Sequence, residues 1–125
     1  MSLEIDGNDR AFLRQASRPA EGGRGCIRLV DLFAGCGGMT LGAVEAARSL
    51  GRRCDVRLAV ERSEFIAATY ARNFDPAYGS DASSVEKWFD GAPNERLSLE
   101  ERRTKRLLGD VDLLVGGPPC QGHSN

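Results

Sequence analysis

The stretch Cys26-Ile27-Arg28-Leu29-Val30-Asp31-Leu32-Phe33-Ala34-Gly35-Cys36-Gly37-Gly38 decides the fold. Its first half is a short apolar run on Ile27, Leu29, Val30, Leu32 and Phe33, as a strand buried on both faces of a parallel sheet requires. Gly35, Gly37 and Gly38 break the run. Residues 39–50 then read as an Ala-rich helix with Leu41, Val44, Ala47 and Leu50 along its buried stripe. Strand, glycine turn and helix follow one another without a gap.

The same alternation continues downstream. Gly51 ends the first helix, and Val56-Arg57-Leu58-Ala59-Val60 forms a second strand with Glu61 at its carboxyl end. Ser63 is placed to cap a helix over residues 64–73, in which Phe65, Ile66, Thr69 and Tyr70 are spaced for burial, until Asp75-Pro76 stops it. A third strand is signalled near residues 77–80. Val85, Trp88 and Phe89 suggest a helical turn, residues 91–94 a loop, residues 97–108 a charged amphipathic helix, and residues 111–115 a last strand. Strands alternating with helices predict an α/β fold with a parallel sheet, right-handed crossovers and a ligand site outside the strands' carboxyl ends. Residues 1–25 are polar and aperiodic and read as a disordered leader, which leaves residues 26–125 as the folded part.

Composition narrows the choice of function. A chain of 125 residues, 41% hydrophobic and 28% charged, holds one core at most. Lys and Arg number 17 against 18 Asp and Glu, which argues against a self-sufficient nucleic-acid binder. The arginines between Arg96 and Arg106 are offset by Glu95, Glu100 and Glu101 and read as a solvated helix face rather than a phosphate track. No run reaches the apolar length of a signal-peptide core or a membrane span, so the protein reads as cytosolic. Cys26, Cys36, Cys54 and Cys120 have no paired spacing for zinc and read as free thiols, with no metal expected.

The candidate site residues all stand at strand ends. A glycine turn before a helix lets backbone approach a ligand and offers unpaired N–H groups, although a plain tight turn would use the same glycines. A dinucleotide fingerprint would need its third glycine at Thr40, so that fingerprint fails, while Glu61 stands near the expected distance of about twenty residues for a ribose-binding acid. Asp81 follows the third strand. Alone, either acid would be a cap or a surface charge; together they line one crevice and favour an adenosine-type ligand. In Gly116-Gly117-Pro118-Pro119-Cys120-Gln121-Gly122-His123 the two prolines stiffen the loop that carries Cys120. Rigid placement suits a nucleophilic thiol; the bland reading is a proline-rich turn with an incidental cysteine.

Asp31-Leu32-Phe33-Ala34-Gly35-Cys36-Gly37-Gly38 together with Gly116-Gly117-Pro118-Pro119-Cys120-Gln121-Gly122 resembles the cofactor and catalytic motifs of the cytosine-5 DNA methyltransferases. Similarity runs from about Ile27 to Asn125. The resemblance implies the N-terminal half of a Rossmann-like, S-adenosylmethionine-dependent methyltransferase fold with strand order 3-2-1-4. It also implies S-adenosylmethionine in the crevice, with Phe33 near the adenine and the turn of Ala34, Gly35, Cys36, Gly37 and Gly38 against the amino-acid moiety. Glu61 would hold the ribose hydroxyls and Asp81 the adenine amino group, Arg62 and Ala82 would flank the adenine, and Pro119 would lie by the methyl donor. Cys120 would attack C6 of a cytosine flipped from double-stranded DNA.

Two departures qualify that expectation. His123 stands where the family commonly has Phe and reads as a packing or surface residue rather than a general base. The family's Glu-Asn-Val motif, Arg-containing motif and target-recognition domain have no match here, because the chain stops five residues after Cys120. The chain alone is therefore expected to be inactive, with DNA contacts in missing regions and the remaining motifs in a longer or second chain. The rival readings are a non-catalytic subunit or fragment that binds S-adenosylmethionine or a protein partner, a nicotinamide oxidoreductase, and a transfer RNA cytosine-5 methyltransferase.

Overall fold

In the computed structural model, which describes Ala11, residues 23–79 and residues 82–120, the opening apolar run is the central strand of the sheet. β1 (Cys26–Leu32) pairs in parallel with β2 (Arg53–Val60) on one side and β3 (Leu113–Gly116) on the other. The helices are α1 (Gly38–Ser49), α2 (Glu64–Phe74) and α3 (Leu99–Leu108), with a single 3-10 turn at Val85–Lys87. Among the described residues, the expected third strand shows one parallel bridge, Leu58 to Tyr78, on the outer edge of β2. Asp75-Pro76 precedes it, and Gly79 approaches β2 so closely that a Cβ there would collide with the Ala59 carbonyl oxygen. Counting that segment, the order is the expected 3-2-1-4 in a Rossmann-like α/β fragment. The expected leader lies outside the described residues, apart from Ala11 and residues 23–25. Among the described residues, no helix is long and apolar enough to cross a membrane.

β1 is apolar on both sides because both sides are covered. Leu29, Val56, Ala59 and Tyr70 form one core with Ala43 and Phe74 beneath α1 and α2; Val30, Leu58, Val60 and Leu108 form the other with Trp88 and Phe89 beneath α3. Val56 and Leu58 should share a face at a spacing of two, yet they enter opposite cores. The register explains it: Leu29 pairs with Val56 and Val30 with Leu58, so Arg57 is an extra residue that flips the alternation.

Two helical faces differ from expectation. In α1 the buried row is Thr40, Val44 and Ala47, while Leu41 and Leu50 are 38% and 71% exposed. In α2 Ala67 and Tyr70 turn inward and Phe65 is 82% exposed. The departures leave Leu41, Leu50 and Phe65 outside, while the hydroxyls of Thr40 and of Tyr70, whose burial was expected, bond to one another inside the core. Ser63 occupies the N-cap of α2 but its side chain makes no capping bond. At α3 a capping box sets the start: Ser98 Oγ accepts from Glu101 N at 3.0 Å and Glu101 Oε2 accepts from Ser98 N at 2.9 Å.

β3 is held in register by Arg28, whose Nε and Nη2 donate to Asp112 at 2.8 and 2.9 Å and whose Nη1 donates to Asp110 at 3.2 Å. These bonds, with the Arg28 backbone N–H, hold the Asp112 carboxyl well below the usual carboxylate range. A depressed carboxylate contributes stability above the ordinary value of about pH 4 and loses it as pH falls. Asp112→Asn is therefore expected to lower the melting temperature slightly at pH 7, by a margin that shrinks steadily below about pH 4. A gap of constant size in thermal melts across that range would contradict the assignment.

Candidate active site

The carboxyl ends of β1 and β2 are joined by the glycine turn. Ala34 N donates to Val60 O at 2.9 Å, carrying the chain across to the neighbouring strand, and Gly37 N returns to Ala34 O at 3.0 Å. Phe33, Gly35 and Gly37 have φ of 60°, 55° and 91°. For Phe33 that left-handed backbone costs on the order of 1–3 kcal/mol, a strain typical of ligand sites. The turn also fixes an acid: Gly35 N donates to Glu61 Oε2 at 3.0 Å, and Ser63 N to Glu61 Oε1 at 2.9 Å. Glu61 thus satisfies the backbone N–H of Ser63, the N-cap residue of α2, and is locked to β1's turn at the same time.

Beyond β2 the chain folds back over the same end. Ser83 is buried, donates its N–H to Glu61 O at 2.9 Å, and accepts from Trp88 Nε1 at 3.2 Å. The result is a cleft of about 460 Å³ walled by Phe33, Glu61, Arg62, Val85, Glu86 and Pro119, a volume suited to a small molecule. The Glu86 carboxyl is held below the usual range first by the Ser84 hydroxyl, with the Arg62 charge adding to it. Two larger clefts of about 850 and 570 Å³ run along α3, but neither includes a glycine turn or any of the predicted site residues.

Four sequence-predicted residues, Phe33, Glu61, Arg62 and Pro119, meet in this cleft. Gly35 reaches it through its N–H on Glu61. Ala34 and Gly37 are buried behind it as framework, Gly38 opens α1, and Cys36 and Ala82 are exposed outside its wall. Asp81 and His123 lie outside the described residues. Cys120 is exposed as a free thiol immediately after Pro119. Ile66, Ser83, Ser84, Val85 and Glu86 also line or frame the cleft and were missed. The one signal for them was the Ser83-Ser84 pair ahead of Val85, a helix-start pattern at the 3-10 turn.

The model of the family described as C-5 cytosine-specific DNA methylase matches residues 27–125, the part that builds the sheet, the cleft and the proline loop. The chain belongs to that family. As a C-5 cytosine-specific DNA methylase chain it is 38% identical over 118 residues to the type II methyltransferase M1.BsuMI of Bacillus subtilis, covering 94% of this chain and 27% of that protein. It is 36% identical over 106 residues to the DNA (cytosine-5)-methyltransferase PliMCI of Paracentrotus lividus, covering 78% of this chain and 6% of that protein. It is 32% identical over 100 residues to the type II methyltransferase M.HgiGI of Herpetosiphon aurantiacus, covering 79% of this chain and 64% of that protein. The chain thus spans about a quarter of the Bacillus relative and less than two thirds of the other two. No solved structure gave a significant match.

Proposed function

We propose that this methylase chain forms the S-adenosylmethionine-binding part of a DNA cytosine-5 methyltransferase and carries its nucleophile, Cys120. The observation behind this reading is the convergence of Phe33, Glu61, Arg62 and Pro119 on one cleft, with Cys120 next in sequence to its rim. The residues suit the ligand's chemistry. The half-exposed Phe33 ring offers a face to the adenine, with Arg62 in the same wall, and Ala82, outside that wall, is the further residue assigned to flank it. Each Glu61 oxygen uses one lone pair on a backbone N–H and keeps another for a ribose hydroxyl. Asp81 takes the adenine amino group, and the turn from Ala34 through Gly35, Cys36 and Gly37 to Gly38 cradles the amino-acid end.

The bound sulfonium supplies a methyl group with a good leaving group behind it. Cytosine C5 is too weak a nucleophile to take that group unaided, and Cys120 corrects this. Its thiolate adds to C6, the ring electrons move to C5 as an enamine, and after methylation loss of the C5 proton expels the thiolate and restores aromaticity. The target base must leave the duplex to reach the thiol. Double-stranded DNA, found inside the cell, is held by segments outside residues 1–125, in the same or a second chain.

Calorimetric titration with S-adenosylmethionine is expected to show binding to the 125-residue chain, weakened about tenfold or more in Asp81→Ala, the loss of one charge-assisted hydrogen bond. No binding by the parent chain would overturn the cofactor reading. When the remaining motifs are supplied in trans, DNA containing 5-fluorocytosine is expected to form a covalent adduct, because fluorine blocks the elimination step. An adduct that persists in Cys120→Ala would remove Cys120 as the nucleophile.

A further inference from the structure

A buried polar chain lies beside the turn and plays no part in the chemistry above. Asp31, near the end of β1, is 1% exposed, and Thr40, in the first turn of α1, is 0% exposed. Thr40 Oγ1 lies 2.6 Å from Asp31 Oδ2 and 2.6 Å from Tyr70 Oη on α2. A single hydroxyl proton serves one acceptor, so Thr40 donates to the carboxylate and Tyr70 donates to Thr40. Three elements are tied at one point.

The arrangement is costly as mere packing. Asp31 Oδ1 is buried with no hydrogen-bond partner among the described residues, burial pushes the Asp31 carboxyl up against the bond from Thr40, and burial likewise pushes the Tyr70 phenol up. An apolar trio would fill the same space more cheaply. What the polar trio adds is direction. The eight residues between Asp31 and Thr40 include the whole glycine turn, which has no ladder to set its position. Its other side rests on the same helix, since Gly37 abuts the Phe74 ring and that ring lies 4.9 Å from Tyr70.

We propose that Asp31, Thr40 and Tyr70 form a positioning unit that clips both ends of the cofactor turn to α2, and through the Gly35–Glu61 bond sets the affinity of the cleft for its ligand. The affinity part rests on the reading of the cleft as the S-adenosylmethionine site; the positioning part does not.

Amide hydrogen exchange on the ligand-free full chain tests the clip directly. Thr40→Val keeps the shape and deletes the hydroxyl, and is expected to speed exchange at Gly35 and Gly37 about tenfold, the worth of one hydrogen bond, while the β1 amides keep their rates. Thr40→Ser should restore the parent rates, which a role in packing alone would not do. Tyr70→Phe removes only the far hydroxyl and should show the same local pattern, so it carries the test if Thr40→Val does not fold. In parallel, S-adenosylmethionine binding should weaken about tenfold in Thr40→Val and recover in Thr40→Ser. Equal acceleration of turn and β1 amides, or unchanged turn amides, would overturn the proposal. A parent chain that fails to bind the ligand would defeat the cofactor reading, while the exchange rates would still decide the clip.

Discussion

Gly37→Ala is expected to destabilise the chain by about 2–5 kcal/mol, as measured by chemical denaturation. Two costs combine. With φ at 91°, the backbone of Gly37 is one that a Cβ disfavours by about 1–2 kcal/mol. The Cβ would also run into the Phe74 ring, and overpacking a filled site adds about 1–3 kcal/mol. The double-mutant cycle separates them: in a Phe74→Ala background the steric part disappears and about 1–2 kcal/mol should remain. A cost for Gly37→Ala near zero, or one that Phe74→Ala leaves unchanged, would show that the turn is not seated on α2 as described.

Glu61→Ala carries the largest expected effect on binding. Its carboxylate is the shared acceptor for Gly35 N and Ser63 N, and both are part-buried contacts. Removing it strands two donors at about 1–3 kcal/mol for a buried unsatisfied group, so the turn loosens as the ligand contacts vanish. S-adenosylmethionine binding is expected to fall about a hundredfold or more, with a lowered melting temperature. Glu61→Gln is the sharper variant. It keeps one acceptor but turns an amide N–H₂ toward the second donor, so its stability should lie between wild type and Glu61→Ala. Calorimetry and thermal melts on the three proteins check both effects, and equal stability of the Gln and Ala variants would refute the two-acceptor role.

Much of the site was legible because chemistry and chain direction coincide in this fold. A parallel strand delivers the residue after it to one edge of the sheet, so Phe33, Glu61 and the loop before Cys120 could be placed together from strand ends alone. The wall from Ser83 to Glu86 was not legible in this way. Its position depends on the Ser83 N–H finding the Glu61 carbonyl and on Trp88 reaching the Ser83 hydroxyl, contacts made by types of residue that look interchangeable in a surface loop.

The order of elements, the parallel pairing and the glycine turn followed from the sequence by itself, since apolar run length, glycine spacing and proline position act locally. Which side chains face the core was decided only in three dimensions. Leu41 and Leu50 are better hydrophobes than Thr40, yet they stay exposed while Thr40 is buried with Asp31 and Tyr70, where the three satisfy one another. The same holds for β2, where the unpaired Arg57 sends Val56 and Leu58 to opposite faces. Helical and strand periods assume an undisturbed element and a core that accepts only apolar groups. A buried hydrogen-bond chain and a one-residue bulge break those assumptions, and neither is written in any local stretch of the chain.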